Sequence, residues 1–186
     1  MASVDGDTTY SDMFHLIPAD SYVNTMRSNN PYGQVGTPSW TSQNGSKLGT
    51  CITVGYNGTV FEPLDEYKGD AARTYFYMAT RYESRIAYWE TLTAEGDAIL
   101  DGSTYPCFEP WYVNMLLAWH AADPVSQKEI DRNNEIYYSY QHNRNPFIDH
   151  PEWAIAVWNP GALVVPEPTN FPSDFSAHNI HLQWTD

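Results

Sequence analysis

Positive charge is scarce in this chain of 186 residues: nine Lys and Arg stand against 23 Asp and Glu, a net charge of −14. That balance repels polyanions at long range and argues against a general, charge-driven nucleic-acid binder. It leaves room for a local positive site, because a bound cation and a few arginines can reverse the field inside an acidic protein. Also missing is any run approaching the roughly 20 apolar residues that a membrane-spanning helix needs. The opening residues, Met1-Ala2-Ser3-Val4-Asp5, lack the basic segment and apolar stretch of a secretion signal. Only two cysteines occur, Cys51 and Cys107. They either close a long loop as a disulfide, as an exported protein allows, or stand apart as two buried thiols.

Aromatics, by contrast, are plentiful. Seven Trp, 14 Tyr and seven Phe supply large apolar faces, enough with this length for one substantial core. Tyr10 to Pro18 reads as a short buried strand or loop. Asp20 is placed to cap a helix running to about Asn29, with Pro31 ending it. Within that helix Val23 and Met26 form an apolar side, while Asn24, Arg27 and Ser28 fall three and four residues apart and face one point. Residues 31–50, rich in Gly, Pro, Ser, Thr and Asn, predict a long loop. Ile52 to Glu62 predicts a β-hairpin around Asn57-Gly58, a dipeptide that tolerates the positive φ of a type I′ turn.

Three longer helices follow. Asp70 can cap one over 71–89, where Ala72, Tyr75, Phe76, Ala79, Tyr82 and Ile86 recur on one stripe. Pro110 opens a second, to about Ala121, and Asp123-Pro124 a third, to about Gln141, which stops before Asn145-Pro146. The expectation is an α+β fold: a mainly helical core with a small β-hairpin element, over residues 1–159. Pro166, Pro168 and Pro172 mark 160–174 as a linker. Residues 175–186 resemble the opening strand of a truncated fibronectin type III-like β domain.

Several blocks, in one order, carry a resemblance. They are Ser11-Asp-Met-Phe-His-Leu-Ile-Pro-Ala-Asp-Ser-Tyr-Val-Asn-Thr-Met-Arg-Ser-Asn29 with Pro31-Tyr-Gly33; Phe61-Glu-Pro63 with Lys68-Gly-Asp-Ala-Ala-Arg-Thr-Tyr-Phe-Tyr-Met78; Trp119, Asp123-Pro-Val125 and Glu129…Arg132-Asn133; and Gln141…Asn143-Arg-Asn-Pro-Phe-Ile-Asp-His-Pro-Glu152. Together they resemble the bacterial endonuclease I family, whose site is a ββα-metal, or His-Me, finger. The resemblance implies a secreted or periplasmic endonuclease that hydrolyses phosphodiester bonds of DNA, often of RNA as well, with little sequence preference. It implies a divalent cation, Mg²⁺, held by oxygen ligands, with a histidine accepting the proton of the attacking water.

Residue by residue, the metal-binding Asn of the finger helix falls on Asn24. Taken alone, Asn24 would more often be a polar helix residue bonded to a nearby loop. Arg27, one turn on, either meets the scissile phosphate or pairs with a carboxylate such as Asp20. Arg73 and Arg144 are further phosphate-binding candidates, whereas Arg85 reads as part of a solvated face. The family's Glu-His-x-x-Pro block, source of the base and of a carboxylate ligand, is expected before Asp12, and residues 1–9 contain no His. His15 is the histidine left near the helix, as catalytic base or, more ordinarily, as a hydrogen-bonded scaffold residue. A second reading, prompted by the charge and the missing block, is a non-catalytic, degenerate nuclease-fold binding or adhesion module.

Overall fold

The structure is a computed structural model, and it describes residues 8–159; the predicted linker over 160–174 and the β segment over 175–186 lie outside them. Its centre is α2 (Lys68–Arg81), in which Gly69 and every residue from Ala71 to Ala79 are buried. A helix apolar on nearly all sides must be surrounded, and it is. α5 (Pro110–Ala122) crosses it with Trp111, Tyr112, Met115, Leu116 and Trp119 buried. α7 (Pro146–Asp149) and α8 (Glu152–Trp158) bring Phe147 and Trp158 onto Phe76, with ring centroids 5.7 and 4.5 Å away. Among the described residues no helix is long and apolar enough to cross a membrane.

The predicted helix over 71–89 is broken. α2 stops at Tyr82, whose φ of −120° leaves the helical region, and a 3₁₀ turn leads into α3 (Ile86–Glu90) and α4 (Ala94–Asp97). The Tyr82 hydroxyl is drawn to Asp12 at 2.7 Å, a distant partner that the stripe of apolar residues does not reveal. α6 (Gln127–Glu135) starts later than Asp123-Pro124 suggests, because Ser126 and Glu129 form a reciprocal capping box. Asp123 instead accepts from the Gly69 amide at 2.8 Å. A π-helical stretch, Ile136–Gln141, continues α6.

The sheet corrects two expectations. Residues 31–50 are not a long loop: β1 (Val35–Thr41) and β2 (Lys47–Cys51) lie inside them, joined through Ser42–Ser46, where Gly45 takes φ 102°. β3 (Thr59–Glu62) completes an antiparallel sheet in the order β1-β2-β3, with Lys47 opposite Glu62 and Thr50 opposite Thr59. The hairpin predicted over 52–62 therefore has a different first strand. Ile52–Gly58 is a loop with Val54 93% exposed, since the buried Cys51 and Val60 already satisfy the inner face. Two Asn-Gly pairs compete here, and Asn44-Gly45 makes the tight turn. Cys51 and Cys107 are free thiols buried separately, which decides between the two cysteine readings.

Candidate functional site: a groove against the N-terminal helix

A groove with a cavity volume of about 480 Å³ opens between α1 (Ser21–Arg27), the strap before it, the β1–β2 turn and the start of α2. His15, Asn24, Arg27, Tyr32, Asp70 and Tyr75 are among its lining residues. α1 begins as predicted: Asp20 Oδ1 accepts from the Tyr22 and Val23 amides, both at 3.0 Å. It ends at Ser28, which takes a positive φ of 51°. Before α1 the described residues form a 3₁₀ turn and an irregular strap, not strands.

The strap is fixed by partners from the far end of the chain. Asp12 is 2% exposed and accepts from the Tyr77 and Tyr82 hydroxyls, both at 2.7 Å, and from Gln141 Nε2 at 3.0 Å. Gln141 Oε1 accepts from the Met13 amide at 2.8 Å. Arg132 Nη2 donates to the Met13 and Leu16 carbonyls at 2.5 and 2.6 Å. These bonds hold the intervening His15 at the groove. Its Nδ1 lies 3.4 Å from the Thr9 carbonyl, which only accepts, so Nδ1 carries the proton and Nε2 keeps a lone pair. Burial, with Arg27 adding to it, lowers the His15 pKa, so the ring is neutral at neutral pH.

Arg27 is the floor of the groove. Its guanidinium lies 4.5 Å from the Tyr32 ring centroid and meets the Tyr75 side chain, and its Nε is buried without a partner among the described residues. The sequence left a choice between phosphate and Asp20. Asp20 makes no ion pair with it among the described residues, its Oδ1 being engaged at the helix cap. Asn24 is exposed on the groove wall, and among the described residues its carboxamide makes no hydrogen bond.

A model of the Endonuclease I family matches residues 2–152. The chain belongs to the endonuclease I family. It is 42% identical over 150 residues to an extracellular ribonuclease of Bacillus amyloliquefaciens, covering 80% of this chain and 46% of that protein. An extracellular ribonuclease of Bacillus subtilis (strain 168) is 41% identical over the same shares. Endonuclease-1 of Buchnera aphidicola subsp. Acyrthosiphon pisum (strain APS) is 25% identical over 139 residues, 74% of this chain and 44% of that protein. The chain thus spans less than half the length of the curated relatives it matches. No solved structure matches it.

Two of the expected phosphate-binding residues are otherwise engaged in this endonuclease I-family fold. Arg73 is 0% exposed, and its Nε and Nη2 meet the two carboxylate oxygens of Glu129 at 2.6 and 2.8 Å. Its Nη1 donates to the Asp123 carbonyl at 2.9 Å and faces His120 Nδ1 at 3.3 Å. No phosphate can reach a guanidinium enclosed in this way, so Arg73 is a core ion pair. Arg144 is only partly exposed and makes a two-pronged contact with Asp149 at 2.7 and 2.7 Å, which spends its planar fork on that carboxylate. The sequence missed Arg132, because its partners are backbone carbonyls more than 100 positions away, and it missed Tyr32 and Tyr75, which look like core.

The donors for Mg²⁺ are incomplete. Asn24 offers one oxygen, yet among the described residues no three His, Cys, Asp or Glu side chains gather as a metal site, whereas a hard divalent ion is held by several oxygens. Asp70, deeper in the groove, does not help. Burial, then the neighbouring Glu129 carboxylate, pushes its pKa up to about 7, which weakens it as an anionic ligand.

Proposed function

We propose that this chain carries the substrate groove of a secreted endonuclease that hydrolyses phosphodiester bonds in DNA and RNA with the help of a divalent cation. Family membership and the nuclease names of the relatives support the reaction class, and the word extracellular in two of those names supports export. The observation that carries the proposal is where the unpaired cations stand. Lys47, Lys68, Arg73, Arg81 and Arg144 each have a carboxylate between 2.6 and 3.7 Å away. Arg27, Lys128 and Arg132 have no such partner among the described residues; Arg27 lines the groove, and the other two touch residues of its wall. Arg27 is its floor, Lys128 lies 4.3 Å over the ring of the wall residue Tyr67, and Arg132 holds the wall residue Leu16. Arg27, the cation that lines the groove, is thus left without a carboxylate at a concave place, where a phosphate would be drawn.

In this reading Arg27 binds a phosphate oxygen and offsets the charge that grows there as the bond breaks. His15, neutral and with a free Nε2 lone pair, is the candidate to take a proton from the attacking water. Asn24 would be one oxygen ligand of the cation, its other ligands coming from outside the described residues.

The test is cleavage of plasmid DNA and of single-stranded RNA by the whole protein with Mg²⁺, beside Arg27→Ala, Asn24→Ala and His15→Ala. Loss of cleavage with each of the first two supports the groove. Full activity of Arg27→Ala would remove it as the substrate site, and full activity of His15→Ala would return that residue to a scaffold role. Nucleic-acid binding without any cleavage by the whole protein would favour the non-catalytic binding module.

A further inference from the structure

Asp70 belongs at once to the buried Arg73 network and to the groove. It stands in the first turn of α2, lines the groove, and keeps 21% of its side chain exposed. On its inner side the carboxyl is hydrogen-bonded to Glu129. Two carboxyl groups can share such a bond only if one of them carries a proton. The remaining partners decide which one. Glu129 Oε1 accepts from Arg73 Nε at 2.6 Å, while Oε2 accepts from Arg73 Nη2 and the Ser126 amide, both at 2.8 Å, and from Ser126 Oγ at 3.2 Å. A carboxyl whose two oxygens meet four donors has no proton of its own, so Glu129 is ionised. Among the described residues Asp70 accepts from Arg73 Nη2 alone, at 3.4 Å. The shared proton is therefore on Asp70.

The surrounding charges agree. Glu129 and Arg132 of α6, Asp123 ahead of that helix and Arg73 on its own helix face Asp70, and His15, Asp20, Arg27 and Glu66 share the groove with it. Burial first, then the Glu129 carboxylate, outweighs Arg73 and pushes the Asp70 pKa up to about 7. An acid is also what the rest of the groove lacks. As a phosphodiester is hydrolysed, negative charge grows on the sugar oxygen that leaves, and a proton given to that oxygen lowers the barrier. Arg27 keeps its own protons at any working pH. His15 is neutral, with its Nδ1 proton committed to the Thr9 carbonyl. Burial pushes the Tyr75 phenol up, so it holds its proton more tightly than a free tyrosine does.

We propose that Asp70 is the general acid of the groove, giving its carboxyl proton to the sugar oxygen that leaves phosphorus. The proposal rests on the nuclease reading of the groove and supplies the second half of its proton transfer. The water oxygen bonds to phosphorus as the bond from phosphorus to the sugar oxygen breaks. His15 Nε2 takes a proton from the water, and Asp70 gives one to the departing oxygen. The products are a phosphomonoester and an alcohol. Exchange with solvent then returns His15 to its neutral form and Asp70 to its acid form.

The experiment compares ordinary oligonucleotides with ones whose leaving oxygen is replaced by sulfur. A thiol ionises near pH 8.5 or so and departs as thiolate without an acid (about 8.5 for a free cysteine). Asp70→Asn keeps the shape and a donor for Glu129. In the whole protein with Mg²⁺ it should slow cleavage of the ordinary substrate about 100-fold or more, with KM little changed. It should cut one of the 3′- and 5′-bridging phosphorothiolates, the one with sulfur on the departing side, at close to the parent's rate. The parent's kcat should fall as pH rises through about 7, a limb that the variant lacks. Equal slowing on the oxygen and both sulfur substrates would make Asp70 structural and overturn the proposal while the groove reading stands, as would unchanged cleavage of the ordinary substrate. If the whole protein cleaves nothing, the nuclease reading falls and takes the proposal with it. A readout free of catalysis is the carboxyl-carbon NMR titration of Asp70 in the 186-residue chain, its signal identified by its loss in Asp70→Asn. The expected midpoint is about 7, and one near the ordinary carboxylate value of 3.8 would overturn the proposal whatever the cleavage assay shows.

Discussion

Arg73 and Arg27 have the same functional group in two opposite settings. Arg73 is sealed in a carboxylate cage, with Glu129 gripping it on two sides and Asp70 at 3.4 Å. Arg27 rests on a tyrosine ring and has no carboxylate partner among the described residues. A buried arginine whose charge is settled by its own protein holds the fold together; one whose charge is left open at the bottom of a groove is ready for an anion. Exposure separates them only in part, Arg73 being buried and Arg27 half-buried; the identity of their partners completes the distinction.

Removing the caged arginine should have the largest effect. Arg73→Met strands the Glu129 carboxylate in the core, and breaking a buried pair in this way costs about 3–5 kcal/mol. At about 2–4 °C per kcal/mol for a chain of this size, thermal melts should show the midpoint falling by roughly 10 °C, with much soluble protein lost. A midpoint within two or so degrees of the parent would mean that the cage contributes little and that the contrast with Arg27 is false.

Arg27→Ala should do the reverse. Losing a charge-assisted bond to phosphate costs about 1.5–3 kcal/mol, a drop of roughly 10- to 100-fold in oligonucleotide affinity, while the melting midpoint barely moves. Arg27→Lys should restore only part of the affinity, because an ammonium lacks the flat fork that stacks on Tyr32. Equal losses of stability in Arg27→Ala and Arg73→Met would erase the distinction between the two sites.

Much of this was legible in the residues. The Asp20 cap, the α5 start at Pro110 and the family blocks were readable because each signal is local, a few positions long. Asn24 and Arg27 were placed correctly on one helix face for the same reason. What could not be read was set by distant partners. Arg73 sits three residues beyond Asp70 on a helix and looks like any surface arginine until Glu129, 56 positions later, folds over it. The choice of Asn44-Gly45 over Asn57-Gly58 as the tight turn depended on which segment the β2 strand paired with, and turn chemistry alone was the same at both. The break at Tyr82 likewise came from its bond to Asp12, 70 positions earlier.

A milder test lies at the edge of the cage, where Asp70 faces both the Arg73 network and the groove. Its folded pKa of about 7 lies above the ordinary carboxylate value of 3.8 because burial and the Glu129 carboxylate, helped by Asp123, outweigh Arg73. The folded chain therefore keeps a proton that the unfolded chain has already released, and stability drains away as pH rises from about 4 to about 7. Asp70→Asn cannot ionise and escapes that loss. It should be more stable than the parent at pH 8, by at most about 4 kcal/mol and by less to the extent that solvent screens this partly exposed group, and level with it near pH 4. A variant that is less stable than the parent at pH 8 would show that the carboxylate form is the one the cage wants.

The smallest effect is expected at Arg144, which stands between the two cases. Like Arg73 it has a two-pronged carboxylate, Asp149, and like Arg27 it lies against a tyrosine, Tyr137. Unlike Arg73 it is partly in water, with side-chain exposures of 30% and 28% for the pair. Solvent and salt screen such a pair, and its net worth is at most about 1 kcal/mol. Arg144→Ala should therefore lower the melting midpoint by only a few degrees and change duplex affinity by less than about twofold. A large fall in affinity would mean that Arg144 leaves Asp149 to meet phosphate, and that partner identity in the free structure does not decide which arginines are committed.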